Sequence, residues 1–393
     1  MTDVVDLRQY GESFRADPHP VYAELRRKGP VHRVLLPAPD EYETWLVVGH
    51  EEARAALADP RLSKDPEKLG SSRFDGDPVG KHMLASDPPQ HTRLRTLVSK
   101  AFTPRRVEAL RPRVQEITDE LLDRMLPAGR ADLVESLAYP LPMAVICELL
   151  GVPEGDRAAF RTMSNDAVAP ATEADRQKAA ESFGAYLTRL IEDKRTAGPG
   201  DDLLSELIDV AGDDGDRLCD RELIGMAFVL LLAGHETTVN LITGGVHALL
   251  THPDQLELLR ADMGLLEGAV EETLRYDGPV ETATFRFAAE PLELAGVPVA
   301  RGDQVMIGLA AANRDPGRHL DPNRFDIRRV STGHLAFGHG IHFCLGAPLA
   351  RLEARIAIGS LLRRAPGLAL DGPPGEWLPG MLVRGLRALP LKW

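Results

Sequence analysis

Cysteine is scarce in this chain: Cys147, Cys219 and Cys344 are the only three in 393 residues. Three scattered thiols build no disulfide framework, which fits a reducing compartment. Positive charge is also short. The 46 Lys and Arg stand against 59 Asp and Glu, for a net charge of -13, whereas phosphate backbones are bound by concentrated basic surface. Nucleic acid is therefore not an expected partner. The longest apolar run lies near residues 228–233, well below the roughly 18 residues that a membrane span needs, so no membrane association is expected. The opening Met1-Thr-Asp-Val-Val-Asp-Leu-Arg8 has no basic segment leading into an apolar one. No signal peptide is expected, and the protein is expected in the cytoplasm. No repeat or low-complexity tract is present, and no Gly-rich nucleotide fingerprint follows a predicted strand.

Length alone suggests two or three domains as a soft prior. Helical periodicity dominates, at 105–125, 176–194 and 349–362. Short strands are predicted at 30–36, 44–48, 292–299 and 305–309. The expected class is mainly α with small sheets.

One segment carries most of the chemistry: Phe337-Gly-His-Gly-Ile-His-Phe-Cys344-Leu-Gly346. Iron binds the thiolate rather than the thiol, so such a site must keep Cys344 deprotonated. Gly338, Gly340 and Gly346 let the chain turn tightly and let a flat macrocycle approach the main chain. Ala347-Pro348-Leu349 reads as a helix opening, with Pro348 in the first turn where its missing N–H costs nothing. Cys344 then stands at the positive end of a helix dipole, which favours the anion. A thiolate axial ligand donates strongly and promotes O–O cleavage. Cys147 and Cys219 lack such company and read as small buried hydrophobes. Two other readings of the loop remain at this point. His339, His342 and Cys344 could serve zinc, although no fourth ligand lies nearby, and the segment could be a turn without a metal.

A second segment, Phe228-Val-Leu-Leu-Leu-Ala-Gly-His-Glu-Thr-Thr-Val239, belongs to an apolar helical pattern that continues to about Leu250. Gly234, Glu236, Thr237 and Thr238 interrupt it. A charge inside a buried helix is costly unless paired or useful. The bland alternative is a Thr hydroxyl that bonds the Ala233 carbonyl and bends the helix. The functional one is a proton relay, because heterolytic O–O cleavage needs two protons where bulk water is excluded, and a hydroxyl backed by an acid supplies them. Glu272 and Arg275 are spaced i, i+3 on one helix face, a pair that on a surface would contribute little. His91 and Arg95 share a face at i, i+4 after a Pro88-Pro89 helix start.

Together these segments resemble the cytochrome P450 family. The cysteine loop fills its F-x-x-G-x-[HR]-x-C-x-G pattern at Phe337, Gly340, His342, Cys344 and Gly346, and 233–238 fills its [AG]-G-x-[DE]-T-[TS] oxygen-activation pattern. Asp17-Pro-His-Pro-Val-Tyr22 and Trp45-Leu-Val-Val-Gly49 carry the resemblance to the N-terminal part. It implies a single domain over 1–393, a helical prism with small β-sheets, holding haem b (iron protoporphyrin IX) on Cys344. Ala233 and Gly234 then leave room for dioxygen, Thr237 hydrogen-bonds the oxygen on the iron, and Glu236 brings protons. His91, Arg95, Arg286 and His342 neutralise the haem carboxylates, with Phe337, Gly338 and Gly346 shaping the loop against the ring. Glu272, Arg275 and Arg324 form a structural ion network.

The resemblance further implies electrons from a ferredoxin and a separate ferredoxin reductase. A basic docking face is expected among Arg105, Arg106, Arg111, Arg113, Arg351 and Arg355. The implied activity is insertion of one atom of O2 into an unactivated C–H bond. The pocket falls at 63–86, 160–183, 230–237, 280–284 and 381–383, with Leu230, Val280, Glu281, Ala283, Met381 and Leu382 as candidates. Glu281 is either the partner of an amino-sugar cation or a rim carboxylate facing water. The wording is similar to actinomycete hydroxylases that tailor macrolides and other polyketides. Steroid, terpenoid or fatty-acid hydroxylation and a thiolate-haem sensor or carrier are the alternatives. A peroxide-using relative would lack the Glu236–Thr237 pair.

Overall fold

The computed structural model describes residues 4–39, 41–69, 82–168, 173–210, 216–330 and 332–393. The chain packs as two compact units. One comprises Met1–Ser63, Thr118–Ala138 and Thr237–Trp393, the other Lys64–Ile117 and Tyr139–Glu236.

The first unit holds the strands. Its largest sheet has six, in the order Val5–Asp6, Val31–Leu35, Glu43–Val47, Gln304–Ile307, Arg286–Ala288 and Leu62–Ser63. Val31–Leu35 and Glu43–Val47 are antiparallel, and Glu43–Val47 runs parallel to Gln304–Ile307. Side chains alternate across a strand, and here both faces are covered. Trp45 and Val47 enter one apolar cluster with Val305 and Ile307, while Leu46 and Val48 enter another with Tyr22 and Leu25. Burial on both sides explains why 45–48 reads as an unbroken apolar run. The segment 292–299 is not one strand but a hairpin of Leu292–Leu294 and Val297–Val299. Ala295 and Gly296 take φ of 49° and 82° at its tip, the left-handed pair that a two-residue hairpin turn requires.

The helices follow the periodicity with one break. Glu173–Ala197 contains 176–194 and Ala347–Arg364 contains 349–362, but 105–125 divides into Pro104–Ala109 and Arg111–Met125. Pro112 has no N–H to offer the Glu108 carbonyl, so the first helix cannot run on, while the second accommodates a proline in its opening turn.

The longest helix, Asp220–Thr251, has 32 residues. By length and composition it is the one helix among the described residues that could cross a membrane, with mean hydropathy 1.3 over its best 18-residue window. The sequence reading expected no such stretch, because it counted unbroken apolar residues and the polar ones at 234–238 are diluted over 18. Of that window 56% is buried within the chain. At Gly245 a Cβ would lie 2.8 Å from Ile358 Cδ1, so the missing side chain lets the helix Ala347–Arg364 pack closely against it.

In the second unit an aromatic cluster forms the interior: Phe160 meets Phe183 and Tyr186 at 5.4 and 5.5 Å between centroids, and Phe183 meets Phe228 at 5.6 Å. Phe160 and Phe183 are thus buried core, not pocket wall. Cys147 is buried as expected, and burial pushes its thiol up to about 11. Cys219 is exposed, contrary to expectation. It sits just before the long helix, its N–H donating to Glu222 at 3.0 Å.

Candidate functional site

The cysteine loop is built by left-handed glycines. Gly338 and Gly340 take φ of 73° and 75°, a region that side chains strain. At Gly340 a Cβ would also come within 3.1 Å of the Leu57 carbonyl. The Cys344 N–H closes the loop on the Phe337 carbonyl at 2.9 Å, and Gly346 starts the helix Ala347–Arg364 with proline in its first turn. Cys344 is exposed at that helix opening. Phe337 lies under the Arg351 guanidinium, 4.4 Å from the ring centroid.

Two adjacent acids anchor different segments: Glu271 binds residues on either side of the loop, and Glu272 binds the chain before it. Glu271 accepts two hydrogen bonds from Arg351, at 2.5 and 2.9 Å, and lies 3.0 Å from His334 Nε2. Burial works to raise its carboxyl, but Arg351 and His334 hold it at about 2. Glu272 pairs with Arg275 through two bonds of 2.8 Å, both side chains fully buried. The remaining Arg275 donors reach the carbonyls of Asn313, Pro322 and Arg324, so the buried cation is completely satisfied. The third charged partner is Arg329, whose Nε lies 3.1 Å from Glu272. Arg324 was expected there. Its side chain is 63% exposed and lies 3.6 Å from Asp326; only its carbonyl joins the network.

On one side of the long helix Phe228, Leu232 and Glu236 are half-buried. On another, Leu230, Gly234 and Thr237 are half-buried and Ala233 is exposed. The spacing i, i+3, i+4, i+7 puts these four on one face. It is a narrow apolar face with small residues at its centre, ending in a hydroxyl. Glu236, half-buried, stands beside it.

Of the expected carboxylate partners, His91 and Arg286 are buried and Arg95 and His342 half-buried. His91 and Arg95 lie on the helix Gln90–Ala101, which begins directly after Pro89. Burial and the neighbouring Arg95 lower the His91 pKa. Arg286 ends an inner strand of the six-stranded sheet, donating to the Thr284 carbonyl at 3.3 Å.

The donor set suits a metal that brings its own macrocycle. No group of three or more His, Cys, Asp and Glu is placed for a metal ion among the described residues, so the zinc set of His339, His342 and Cys344 does not assemble. An exposed thiol at a helix opening, with buried Arg286 in the same unit, fits a ring that needs one axial ligand and carries carboxylates.

Several expected pocket and docking residues have other partners. Glu281 is only 5% exposed, and the Tyr22 hydroxyl donates to it. It therefore neither faces water nor lines an open pocket. Met381 is buried in the cluster around Tyr22, whereas Leu382 is exposed and Val280 and Ala283 are half-buried. Residues 70–81 and 169–172 of the expected pocket segments lie outside the described residues. Most of the expected basic face is neutralised within the chain: Arg106 by Glu206, Arg111 by Glu108, Arg113 by Glu116 and Glu148, Arg351 by Glu271, and Arg355 by Glu267. A cavity of about 740 Å³ instead opens beside the cysteine loop, lined among others by Arg54, Arg318, Phe337, His339 and Phe343.

Sequence reasoning missed Glu271, Arg329 and His334. Glu271 sits next to a recognised motif, which was the only available signal.

Residues 159–365 match the family described as Cytochrome P450. The cytochrome P450 monooxygenase PikC of Streptomyces venezuelae is 59% identical over 99% of this chain and 94% of its own. The 6-deoxyerythronolide B hydroxylase of Saccharopolyspora erythraea is 47% identical over 100% and 99%. A myxobacterial cytochrome P450 solved in complex with myristic acid superposes with a TM-score of 0.92 at 42% identity, covering 98% of this chain and 99% of that one.

Proposed function

From the premise that the chain belongs to the cytochrome P450 family, we propose that this monooxygenase hydroxylates a bulky hydrophobic secondary metabolite, a macrolide or related polyketide, at an unactivated C–H bond. Haem b, when bound, supplies the iron on which dioxygen is reduced and split. The chain's own residues do the rest. Cys344 would hold the iron as a thiolate, and Glu271, through Arg351 and His334, anchors the chain on either side of the loop that presents it. His91, Arg95, Arg286 and His342 would hold the propionates. Phe337, Gly338 and Gly346 shape the loop against the porphyrin.

Ala233 and Gly234 keep the long helix thin where the gas must fit. Glu236 takes protons from solvent and passes them to the Thr237 hydroxyl. The observation that carries this reading is the partly exposed stripe Leu230–Ala233–Gly234–Thr237, a face with small residues at its centre that ends in a hydroxyl beside an acid. Leu230, Val280, Ala283 and Leu382 remain candidates for substrate contact, and Glu281 and Met381 are withdrawn.

The substrate class rests on the relatives. One of them, by its name, hydroxylates 6-deoxyerythronolide B. A fatty acid is the second reading, favoured by the myristic acid held by the structural neighbour. Electrons come from an acidic ferredoxin served by a separate reductase. The cavity beside the cysteine loop supports its docking there, because Arg54 and Arg318 line it without a carboxylate partner among the described residues. The 393 residues serve as one catalytic domain in the cytoplasm.

A spectral titration of the haem-loaded ferric protein with macrolides, steroids, terpenoids and fatty acids tests the substrate class. The expected result is a high-spin shift with macrolides at the lowest concentration. A shift confined to fatty acids replaces the substrate, and a reduced carbon-monoxide spectrum without the red-shifted thiolate band removes Cys344 as ligand.

A further inference from the structure

Among the fully buried side chains of the long helix, one carries an imidazole that the proposed relay does not use. His235, between Gly234 and Glu236, is 0% exposed. Its Nδ1 lies 3.0 Å from the Leu231 carbonyl, and a carbonyl can only accept. The proton therefore sits on Nδ1, and the tautomer is fixed. The ring stands edge-on to Tyr139, with centroids 6.0 Å apart and planes at 83°. Burial lowers the imidazole pKa against the raising pulls of the Leu231 carbonyl and Glu236. One residue earlier, a Cβ at Gly234 would lie 3.2 Å from Ile146 Cδ1.

Positions 234 and 235 are thus both fitted to Tyr139 and the helix Pro140–Leu149 that follows it. On a helix of 3.6 residues per turn, residue 235 stands about 200° from residue 237. The face gripped by His235 is therefore opposite the face that carries the Thr237 hydroxyl. A side chain that is wedged at one end and hydrogen-bonded at the other resists rotation of the turn about the helix axis.

We propose that His235 is a positioning residue: donating to Leu231 and wedged against Tyr139, it fixes the rotation of the turn on which Glu236 and Thr237 are presented. The inference rests on the Glu236–Thr237 relay proposed above. Its consequence is chemical. With the turn held, O2, two electrons and two protons convert R–H to R–OH and water. With the turn free, the same electrons and protons leave as hydrogen peroxide and R–H is unchanged. The electrons come in both cases from the ferredoxin.

The test uses the full, haem-loaded chain with its electron donors and the titration ligand giving the largest spin shift, 6-deoxyerythronolide B being tried first. His235→Phe keeps the ring against Tyr139 and removes the N–H. His235→Gln restores an N–H donor. The expected result is a several-fold rise in peroxide per electron pair for His235→Phe, with the thiolate band and ligand affinity unchanged, and recovery of most of the coupling in His235→Gln. Normal coupling in His235→Phe while Thr237→Ala is uncoupled overturns the role of His235 and leaves the relay standing. Normal coupling in both removes the relay and the inference together. If His235→Phe loses the thiolate band, His235→Gln decides: coupled with an intact band supports the role, uncoupled with an intact band refutes it. Nitrogen-15 NMR of labelled histidine, with His235→Gln for assignment, gives a readout free of turnover. A neutral Nδ1-protonated ring at pH 7 is expected, and an Nε2-protonated ring or an imidazolium overturns the proposal.

Discussion

Glu271 grips the Arg351 guanidinium through two hydrogen bonds, 2.5 and 2.9 Å long, and so ties the first turns of the helix that follows Cys344 to the helix Leu266–Asp277. The tie has a pH signature. The Glu271 carboxyl titrates at about 2 in the fold, against 4.5 for the unperturbed group. A depressed carboxyl stabilises the fold above its unfolded pKa and loses that contribution as pH falls from about 4.5 towards 2. Glu271→Gln is expected to lower stability at pH 7 by about 2 kcal/mol and to flatten this acid limb. Denaturant unfolding at pH 7 and pH 3 checks both.

Removing Glu272 should cost more than removing any exposed partner of its network. Glu272→Gln leaves Arg275 charged and buried, which typically costs about 3–5 kcal/mol, and should strip haem from the loop. Arg324→Ala, at an exposed site, should stay within about 0.5 kcal/mol of the parent. Arg329→Ala is expected between the two. Thermal melting together with the reduced carbon-monoxide band ranks the three, and an Arg324→Ala loss as large as that of Arg329→Ala would restore Arg324 to the network.

Glu281 titrates in the opposite sense. Burial pushes its carboxyl up to about 7, although Arg384 and the Tyr22 hydroxyl pull it down and Asp277 adds a repulsion. Between about pH 4.5 and 7 the folded chain keeps a proton that the unfolded chain has released. Stability therefore falls as pH rises through that window, by up to roughly 3 kcal/mol. Glu281→Gln should remove the slope, read as melting temperatures at pH 5 and pH 8. It should leave ligand-induced spin shifts intact, because the side chain is buried beside Tyr22.

The two loop glycines should differ. Both have left-handed φ, worth about 1–2 kcal/mol against alanine, but only at Gly340 would the added Cβ also press on a neighbour, 3.1 Å from the Leu57 carbonyl against 3.9 Å to the nearest atom at Gly338. Gly340→Ala should lose more haem than Gly338→Ala when the loaded fraction is measured at equal protein concentration.

Local patterns were legible in the sequence and long-range partnerships were not. The cysteine loop, the Pro88-Pro89 helix start and the polar interruption of the long helix each lie within about ten residues, where spacing constrains geometry directly. Arg324 and Arg329 show the limit. Both follow Asp321 in an irregular segment without a period, so nothing local tells which guanidinium turns inward to Glu272. Glu281 and Tyr22 are 259 residues apart, and neither carries a mark of the other. Of the acids that neutralise the arginines at 106, 111 and 113, Glu108 and Glu116 are local i,i+3 partners that the sequence offers, whereas Glu206 and Glu148 come from other helices and leave no local mark.

The 32-residue helix Asp220–Thr251 meets the length and hydropathy of a bilayer span, and during synthesis it leaves the ribosome before the 142 residues that follow it and help to bury it. Glu236 falls at its midpoint. A carboxylate at the centre of a candidate span costs the insertion machinery about 3 kcal/mol.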